Sequence, residues 1–195
     1  VLRYRTALRH GYEALAAGAR IDIDLMIEIC GTILGAGAVL RDEEPILIED
    51  KARQMAVYTP PRGRERIVAL LRNMVEFLQA PGEMDPLVRL AVAHYQFEAI
   101  HPFHDGNGRT GRILNVLCLV QAGLLEIPVV YLSRYLIQHK AEYYRRLRAV
   151  TEDGDWEGWL LYMLQGIEET ARWTTGRIEA IRLALGDEPL NYLGL

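Results

Sequence analysis

Most residues in this chain whose types and spacing suggest chemistry lie in one segment, His101–Arg112, which reads HPFHDGNGRTGR. Gly106 and Gly108 permit positive φ, so the backbone between them can curl and turn successive N–H groups toward one point. A helix that begins near Arg109 directs its free N-terminal N–H groups and its dipole at the same point. The segment therefore predicts an anion-binding site.

The charged side chains of this segment indicate which anion it binds. Arg109 and Arg112 lie three residues apart, almost one helical turn, so both can reach the same anion. Asp105 at the mouth is unfavourable beside an anion unless a hard cation such as Mg²⁺ shares the site. His101 has the side chain suited to a general base near neutral pH, and Pro102 ends the incoming helix beside it. The residues predict a polyphosphate, a divalent ion and a proton acceptor in one pocket.

The elements that position this segment follow a helical period over most of the chain. Apolar stripes predict helices over residues 3–17, 23–34, 64–79, 86–100 and 109–122. Ser133 is expected to N-cap a further helix, and Asp155 a long one that runs to about Leu185. The architecture is therefore mostly α.

One stretch, residues 44–61, departs from the helical period. Ile46–Ile48 and Met55–Tyr58 are short extended runs, and Pro60 and Pro61 close the second. Because proline cannot donate to a central ladder, these runs predict an edge hairpin or flap.

The composition of the 195-residue chain is that of an ordinary globular domain, with 50% hydrophobic and 25% charged residues. No apolar run reaches the ~18 residues of a membrane span, and no secretory leader is evident. Cys30 and Cys118 lie in apolar helical patterns and are expected to be buried free thiols, which fits the reducing cytoplasm. A net charge of −4 argues against a general nucleic-acid binder.

The residues alone leave other interpretations of the segment open. Gly106–Gly111 matches the GxGxxG pattern of a dinucleotide-binding turn, although a helical pattern rather than a buried strand precedes it. His104 and Asp105 could form the His-Asp pair of a metal phosphohydrolase, although Pro102 and the glycines place them in a loop. Glycine turns with arginines can also be plain helix connections.

At every fixed position the segment resembles the signature of Fic-domain proteins, HPFx[DE]GNGRxxR. The Fic flap resembles YTPP at residues 58–61, the helix that leads in resembles PLVRLAVAHYQFEAIHPF, and the helices behind resemble YLSRYLIQHKAEYYRRL and WEGWLLYML. The resemblance implies an all-α Fic fold, a bundle of about eight helices with a small β-hairpin flap. It also implies one catalytic domain over residues 1–195, with a core of about 40–170.

Most Fic proteins transfer AMP from ATP to a Ser, Thr or Tyr hydroxyl of a target protein and release pyrophosphate. The resemblance thus implies a protein adenylyltransferase with ATP as co-substrate, Mg²⁺ as cofactor and a hydroxyl-bearing target protein, this chain itself included; no nucleic acid or membrane is required. A Doc-like phosphotransferase toxin would carry Lys at Gly108, and a de-AMPylase would need an inhibitory Glu. A non-catalytic nucleotide- and protein-binding module is disfavoured by the intact His101, Asp105 and Arg112.

Carried over by position, the resemblance assigns a role to each motif residue. His101 deprotonates the target hydroxyl, Asp105 holds Mg²⁺ on the α- and β-phosphates, and Arg112 grips the γ-phosphate. The other phosphate-binding residues are Gly106, Asn107, Gly108 and Arg109, with the Asn107 side chain on the α-phosphate. The target docks along the flap edge as an added strand, at Met55, Val57, Tyr58 and Thr59.

Several residues outside the motif have more than one interpretation. Tyr143 and Tyr144 match a pair that lines the nucleoside pocket in relatives, but they could equally be core tyrosines. Thr151 stands where some relatives have an Asn, so that contact is not carried over. His94 is expected to be a core histidine, and Glu98 either orients a motif residue or is an ordinary helix-face charge.

Many Fic proteins carry an inhibitory helix that reads [ST]xxxE[GN], whose Glu blocks the arginine for the γ-phosphate. The nearest match here, Thr175–Ala180, has Ala180 where Gly or Asn belongs. We expect Glu179 to be a solvated charge on a long amphipathic helix. The first residues, VLRYRTAL, resemble the stretch that follows an N-terminal inhibitory helix in one Fic class, so such a helix is expected before Val1.

Overall fold

Eight α-helices and one two-stranded sheet make up the part of the chain that this computed structural model describes, residues 2–42, 48–50 and 55–185. The helices are α1 (Leu2–Ala16), α2 (Ile23–Leu34), α3 (Arg64–Gln79), α4 (Pro86–Ile100), α5 (Asn107–Gln121), α6 (Leu132–Gln138), α7 (Lys140–Asp153) and α8 (Trp156–Leu185). The strands are β1 (Ile48–Asp50) and β2 (Met55–Tyr58). The predicted all-α bundle with a small hairpin is thereby confirmed.

The hairpin is antiparallel and very short. Ile48 lies opposite Tyr58, and Asp50 lies opposite Met55. The second predicted extended run coincides with β2; of the first, residues 46–48, only Ile48 is among the described residues. Because an isolated two-stranded hairpin is marginally stable in water, its position depends on contacts with the helices.

Two predicted helix caps have different outcomes. The Asp155 Oδ1 atom accepts a hydrogen bond from the N–H of Gly158 at 2.9 Å, so Asp155 caps α8 as predicted. The prediction that Ser133 caps α6 is wrong, because that helix begins one residue earlier, at Leu132. The Ser133 hydroxyl instead pairs with the Tyr4 hydroxyl of α1 at 3.2 Å, a long-range contact that no local rule indicates.

Two clusters of buried side chains form the core, and α4 and α5 contribute to both. The first cluster joins them to α1, α2 and α3 through residues such as Ile29, Leu71 and Leu117. The second joins them to α6, α7 and α8 and includes Trp159, whose indole Nε1 donates to the Ala91 carbonyl at 2.9 Å. The two helices that flank the predicted anion site are therefore packed on both sides.

The longest helix, α8, is buried on one face over its first half and largely exposed over its second. Trp159 and Met163 have no exposed surface, whereas Ile178 and Ile181 are about half exposed. Within the described residues no helix, α8 included, combines the length and the apolar character needed to cross a membrane.

We expect Leu117→Ala to lower the free energy of unfolding by about 2–5 kcal/mol, because it opens a cavity where α5 packs against α1. Leu117 has no exposed surface, and its Cδ1 would lie 2.6 Å from a Cβ on Gly11. The matched control is Leu161→Ala on exposed α8 surface, for which we expect a change within about 0.5 kcal/mol. Urea unfolding measures both, and equal losses would contradict the assignment of Leu117 to the core.

Candidate active site

The active-site segment begins where α4 ends, at His101. His101 follows the last helical residue with φ 49° and ψ 60°, a left-handed conformation, and its N–H donates to the Phe97 carbonyl oxygen at 3.0 Å. Within the described residues it is the only non-glycine residue with positive φ. Such a conformation is disfavoured for a residue with a Cβ and requires support from its surroundings. Pro102 follows it, so the predicted helix end is confirmed.

The loop between α4 and α5 is held together by Asn107 and Phe103. The Asn107 Oδ1 atom accepts from the Phe103 N–H at 2.9 Å, and Asn107 Nδ2 donates to the Phe103 carbonyl at 2.7 Å. Both side chains are buried. The Asn107 side chain, which the resemblance assigns to the α-phosphate, is therefore engaged by the loop itself. The Asn107 N–H, in the first turn of α5, has no acceptor within the helix and faces the site.

Gly106 is the turning point of this loop. Its φ of 88° lies in the left-handed region, and a Cβ there would lie 3.0 Å from Cys30 Sγ of α2. A residue with a side chain would therefore be both strained and crowded. This tight turn lets α5 begin directly behind the loop and point its N-terminus at His101.

An open pocket of about 290 Å³ lies at that N-terminus. Its lining includes each motif residue to which the resemblance assigns a role: His101, Asp105, Gly106, Asn107, Gly108, Arg109 and Arg112. Helix N–H groups, a helix dipole and two guanidinium groups converge there, which favours a multiply charged anion.

Charged groups order the mouth and the floor of this pocket. At the mouth, the exposed Asp105 carboxylate accepts from the Gly106 N–H at 2.6 Å and pairs with Arg109 Nη2 at 3.0 Å. At the floor, a Cβ on Gly108 would lie 3.2 Å from Arg112 Nη1. A lysine at residue 108 would bring a second cation against Arg112, whereas Gly108 leaves that space to a ligand.

A polar layer lies beneath Arg112, and the sequence did not resolve it. Burial raises the pKa of Glu98 to about 7, which the nearby Arg112 charge partly opposes. Burial also lowers the pKa of His94 to about 3, and Arg112 lowers it further. His94 pairs through Nε2 with the Tyr143 hydroxyl at 3.0 Å and stacks on Trp159, as expected of a core histidine. Glu98 follows His94 by four residues, and this helical spacing was the available signal.

The His101 imidazole lies half-buried at the edge of the pocket. Burial lowers its pKa, the carbonyl of Glu98 opposes that effect, and the Arg41 charge lowers the pKa further. The ring is therefore neutral at pH 7 and able to accept a proton. Arg41 donates to the backbone carbonyls of His101 and Ile100 at this helix end. The sequence analysis did not identify Arg41 as part of the site.

A second cavity, of about 170 Å³, adjoins the anion pocket and shares His101 and Gly108 with it. It lies between the end of β2, α4 and α7, and aromatic and aliphatic side chains line much of it. Tyr144 lines this cavity, whereas Tyr143 is buried in the core. Of the two tyrosines, only Tyr144 is therefore placed where it could contact a nucleoside. The Thr151 hydroxyl, also at this cavity, pairs with Tyr95 at 3.0 Å.

The predicted docking residues lie on or next to β2. The Tyr58 hydroxyl points back to α4 and donates to the Ala99 carbonyl at 2.9 Å, and Thr59 is exposed. Met55 and Val57 belong to β2, but their side chains lie outside the described part of the structure. Docking of a target along this strand stays a prediction.

The sequence pattern of the Fic/DOC family matches residues 20–119, just over half of the chain. The chain belongs to this family. A protein of Caenorhabditis briggsae named protein adenylyltransferase fic-1 is 31% identical over 176 residues, which cover 87% of this chain and 32% of that protein. A probable protein adenylyltransferase of Aquifex aeolicus is 40% identical over 67 residues, covering 34% of this chain and 21% of that protein. The Fic chain described here thus spans about a third or less of the length of these relatives.

Solved Fic structures resemble the chain along most of its length. Fic-1 of Caenorhabditis elegans matches with a TM-score of 0.68 and 27% identity, over 93% of this chain and 51% of that one. A Fic family protein of Desulfovibrio desulfuricans matches in fold, with a TM-score of 0.70 and 22% identity, over 89% of this chain and 52% of that one.

Glu179, the nearest match to the Fic inhibitory glutamate, is exposed on α8 and lines neither cavity of the site.

We expect Glu98→Gln to flatten part of the pH dependence of stability. Because the pKa of Glu98 is about 7 in the folded chain and 4.5 for an ordinary Glu, the unfolded chain releases this proton at lower pH. The folded state therefore loses stability as pH rises between those two values. Between about pH 5 and 8 the parent should lose about 1–3 kcal/mol more than Glu98→Gln.

Urea unfolding at the two pH values measures this difference. The control is Glu83→Gln, an exposed carboxylate in the loop before α4, which should follow the parent. Identical pH dependence in the parent and Glu98→Gln would mean that Glu98 is already ionised at the lower pH.

Proposed function

We propose that this chain is a protein adenylyltransferase that transfers AMP from ATP to a Ser, Thr or Tyr hydroxyl of a target protein. The observation that carries the proposal is that the anion pocket and the aromatic cavity adjoin at His101 and Gly108. A nucleoside triphosphate has these two parts, a polyanion and an aromatic base. The names of the relatives support the same activity.

The phosphates bind at the N-terminus of α5. The N–H groups of Asn107, Gly108 and Arg109 supply donors there, and the Arg112 guanidinium suits a terminal phosphate because it can bind two oxygens at once. The nucleoside occupies the adjoining cavity, against Tyr144. The α-phosphate then lies between the two cavities, next to His101.

Asp105 is suited to bind Mg²⁺ together with the phosphates. Its carboxylate is exposed at the mouth of the anion pocket and oriented by the Gly106 N–H. Mg²⁺ in nucleotide sites commonly uses one or two carboxylates, phosphate oxygens and water rather than a cluster of protein ligands. When bound, the ion neutralises charge on the phosphate oxygens. Within the described residues no group of three His, Cys, Asp or Glu forms a metal cluster.

In the transfer, the target hydroxyl oxygen forms a bond to the α-phosphorus, and the bond from the α-phosphorus to the oxygen that bridges it to the β-phosphate breaks. His101 Nε2 or Nδ1 accepts the hydroxyl proton, and pyrophosphate leaves with the electron pair of the broken bond. Its lowered pKa keeps the His101 ring in the neutral form that can accept the proton. The remaining residues position the reactants and stabilise charge.

The target segment binds along β2 as an added strand, and the chain works as one catalytic domain. Adding a strand to an exposed sheet edge provides backbone hydrogen bonds that do not depend on the target sequence. The cytoplasm is the proposed compartment, since Cys30 and Cys118 are free thiols.

We expect label from α-³²P-ATP, and not from γ-³²P-ATP, to enter protein when the chain is incubated with Mg²⁺ and cell lysate. Gly108 leaves the floor of the anion pocket open beside Arg112, which supports the pose that exposes the α-phosphate. Incorporation of γ label alone would instead establish a phosphotransferase of the Doc type. Binding of ATP without any incorporation would establish a non-catalytic module.

We expect His101→Ala to lower the rate of AMP transfer by about 10²–10⁴-fold, because the general base is lost. Affinity for ATP should stay within a few-fold, since His101 acts in the transition state. Transfer kinetics and calorimetry measure the two effects. His10→Ala, which removes a partly exposed histidine of α1 that lines neither cavity of the site, serves as the control. Activity of His101→Ala within threefold of the parent would refute the role of His101.

We expect Asp105→Ala to weaken the binding of ATP in Mg²⁺ by at least about tenfold while changing binding in EDTA much less, because the carboxylate is the protein ligand of the ion. Calorimetry with and without Mg²⁺ measures the difference. The control, Asp24→Ala, removes an exposed carboxylate from the first turn of α2. Equal affinity of parent and Asp105→Ala in Mg²⁺ would contradict the metal assignment.

A further inference from the structure

Among the described residues, two side chains from the flap region donate to the carbonyl end of α4: Arg41, which precedes the predicted flap at residues 44–61, and Tyr58, near the end of that flap. A helix leaves its last carbonyl oxygens without partners inside the helix. The hydrogen bonds run from Tyr58 Oη to Ala99 O at 2.9 Å, from Arg41 Nη2 to Ile100 O at 2.9 Å, from Arg41 Nε to His101 O at 2.7 Å and from the Arg41 N–H to Pro102 O at 3.0 Å. Four successive carbonyl groups around the general base are thereby satisfied.

The guanidinium of Arg41 holds the two peptide planes on either side of the His101 Cα atom. The plane that contains the Ile100 carbonyl sets φ of His101, and the plane that contains the His101 carbonyl sets ψ. A planar guanidinium that donates to both carbonyls fixes their relative orientation. Arg41 thus supports the left-handed conformation that directs the His101 ring into the pocket.

The burial of Arg41 is costly unless its contacts compensate for it. Its residue is 1% exposed, and within the described residues its Nη1 atom has no hydrogen-bond partner. Burying a guanidinium is unfavourable, but the carbonyl end of a helix carries partial negative charge that offsets part of the cost. Burial also prevents water from competing for the carbonyl groups, which makes the two hydrogen bonds a precise support.

The two capping residues also join the flap to the general base. Asp42, next to Arg41, accepts from the Gly63 N–H at 3.2 Å through its carbonyl and from the Arg64 N–H at 3.4 Å through Oδ1. These contacts bring together the chain before β1 and the chain after β2. The two ends of the flap segment therefore meet at the carbonyl end of α4.

We propose that Arg41 and Tyr58 form a clamp that fixes the geometry of His101 and couples it to the flap on which the target docks. Both are positioning residues, since they act on the reaction through the backbone of the general base. The proposal rests on the proposed function for its rate measurements. It adds that the conformation of His101 depends on Arg41 and Tyr58, so a change at the docking surface also changes the position of the proton acceptor.

A purely structural cap is the alternative, and the chain contains matched controls for it. Arg89 donates through Nη1 to the Phe77 carbonyl at 3.2 Å and the Leu78 carbonyl at 3.5 Å, so it caps α3 away from the site. Tyr12 donates through its hydroxyl to the Glu126 carbonyl at 3.1 Å, away from both cavities of the site. Arg89→Met, in the first turn of α4, and Tyr12→Phe therefore remove the same types of hydrogen bond without touching the carbonyl end of α4.

The test compares Arg41→Met with Arg89→Met, and Tyr58→Phe with Tyr12→Phe, in transfer of α-labelled AMP and in urea unfolding. We expect kcat to fall by about 20–100-fold in Arg41→Met and about 3–10-fold in Tyr58→Phe, with KM for ATP within about threefold. Both control variants should keep kcat within about twofold, even where stability falls equally. Arg41→Lys should lie between Arg41→Met and the parent, since one ammonium group replaces the planar fork.

A readout independent of activity is the ¹H–¹³C NMR signal of the His101 ring, assigned by its loss in His101→Gln. We expect this signal to move in Arg41→Lys and Tyr58→Phe and to stay in place in Tyr12→Phe. If Arg41→Met does not fold, these milder variants carry the test. If the folded parent transfers no AMP, the proposed function fails. The NMR comparison then tests by itself whether Arg41 and Tyr58 fix the position of the His101 ring. An unmoved His101 signal, or kcat losses that merely follow stability as in Arg89→Met, would overturn the clamp.

Discussion

The close packing of α4 against α5 is the constraint on which the rest of the site depends. A Cβ on Gly111 would lie 2.5 Å from Glu98 Oε1 and 3.1 Å from the Phe97 ring, so a larger residue there would require the Glu98 side chain to move. At that separation, the carbonyl end of α4 and the N–H end of α5 open on one pocket. A proton acceptor and an anion site become neighbours because two helix ends with opposite partial charge meet there.

Burial of polar groups beneath the pocket gives the site its electrostatic character. Glu98 and His94 lie near Arg112, and burial raises the pKa of Glu98 to about 7 and lowers the pKa of His94 to about 3. A carboxyl group with a pKa of about 7 is only partly ionised at neutral pH, so Glu98 offsets the Arg112 charge less than a fully ionised carboxylate would. The lowered pKa of His101 follows from the same burial. The pocket therefore combines fixed positive charge with a neutral base.

Local rules were enough to predict the helices and the motif. The apolar period gave the stretches that became α2, α3 and α4, and Pro102 correctly marked the end of α4. Glycines and arginines at short spacing predicted that these side chains lie together, and the structure places them around one pocket at the start of α5. These predictions succeed because each depends on residues within a few positions of one another. The cap assigned to Ser133 failed because α6 begins one residue earlier, at Leu132, and the Ser133 hydroxyl pairs with the distant Tyr4.

The sequence by itself determined the helices, the loop chemistry and the resemblance to Fic proteins, since backbone preference and motif spacing are local properties. Only the tertiary structure decided which of the two tyrosines is core: Tyr143 pairs with His94, whereas Tyr144 lines the cavity. Only the tertiary structure brought Arg41 to His101, sixty residues away. Such contacts arise when helices pack, and their strength depends on the exclusion of water, which no local pattern encodes.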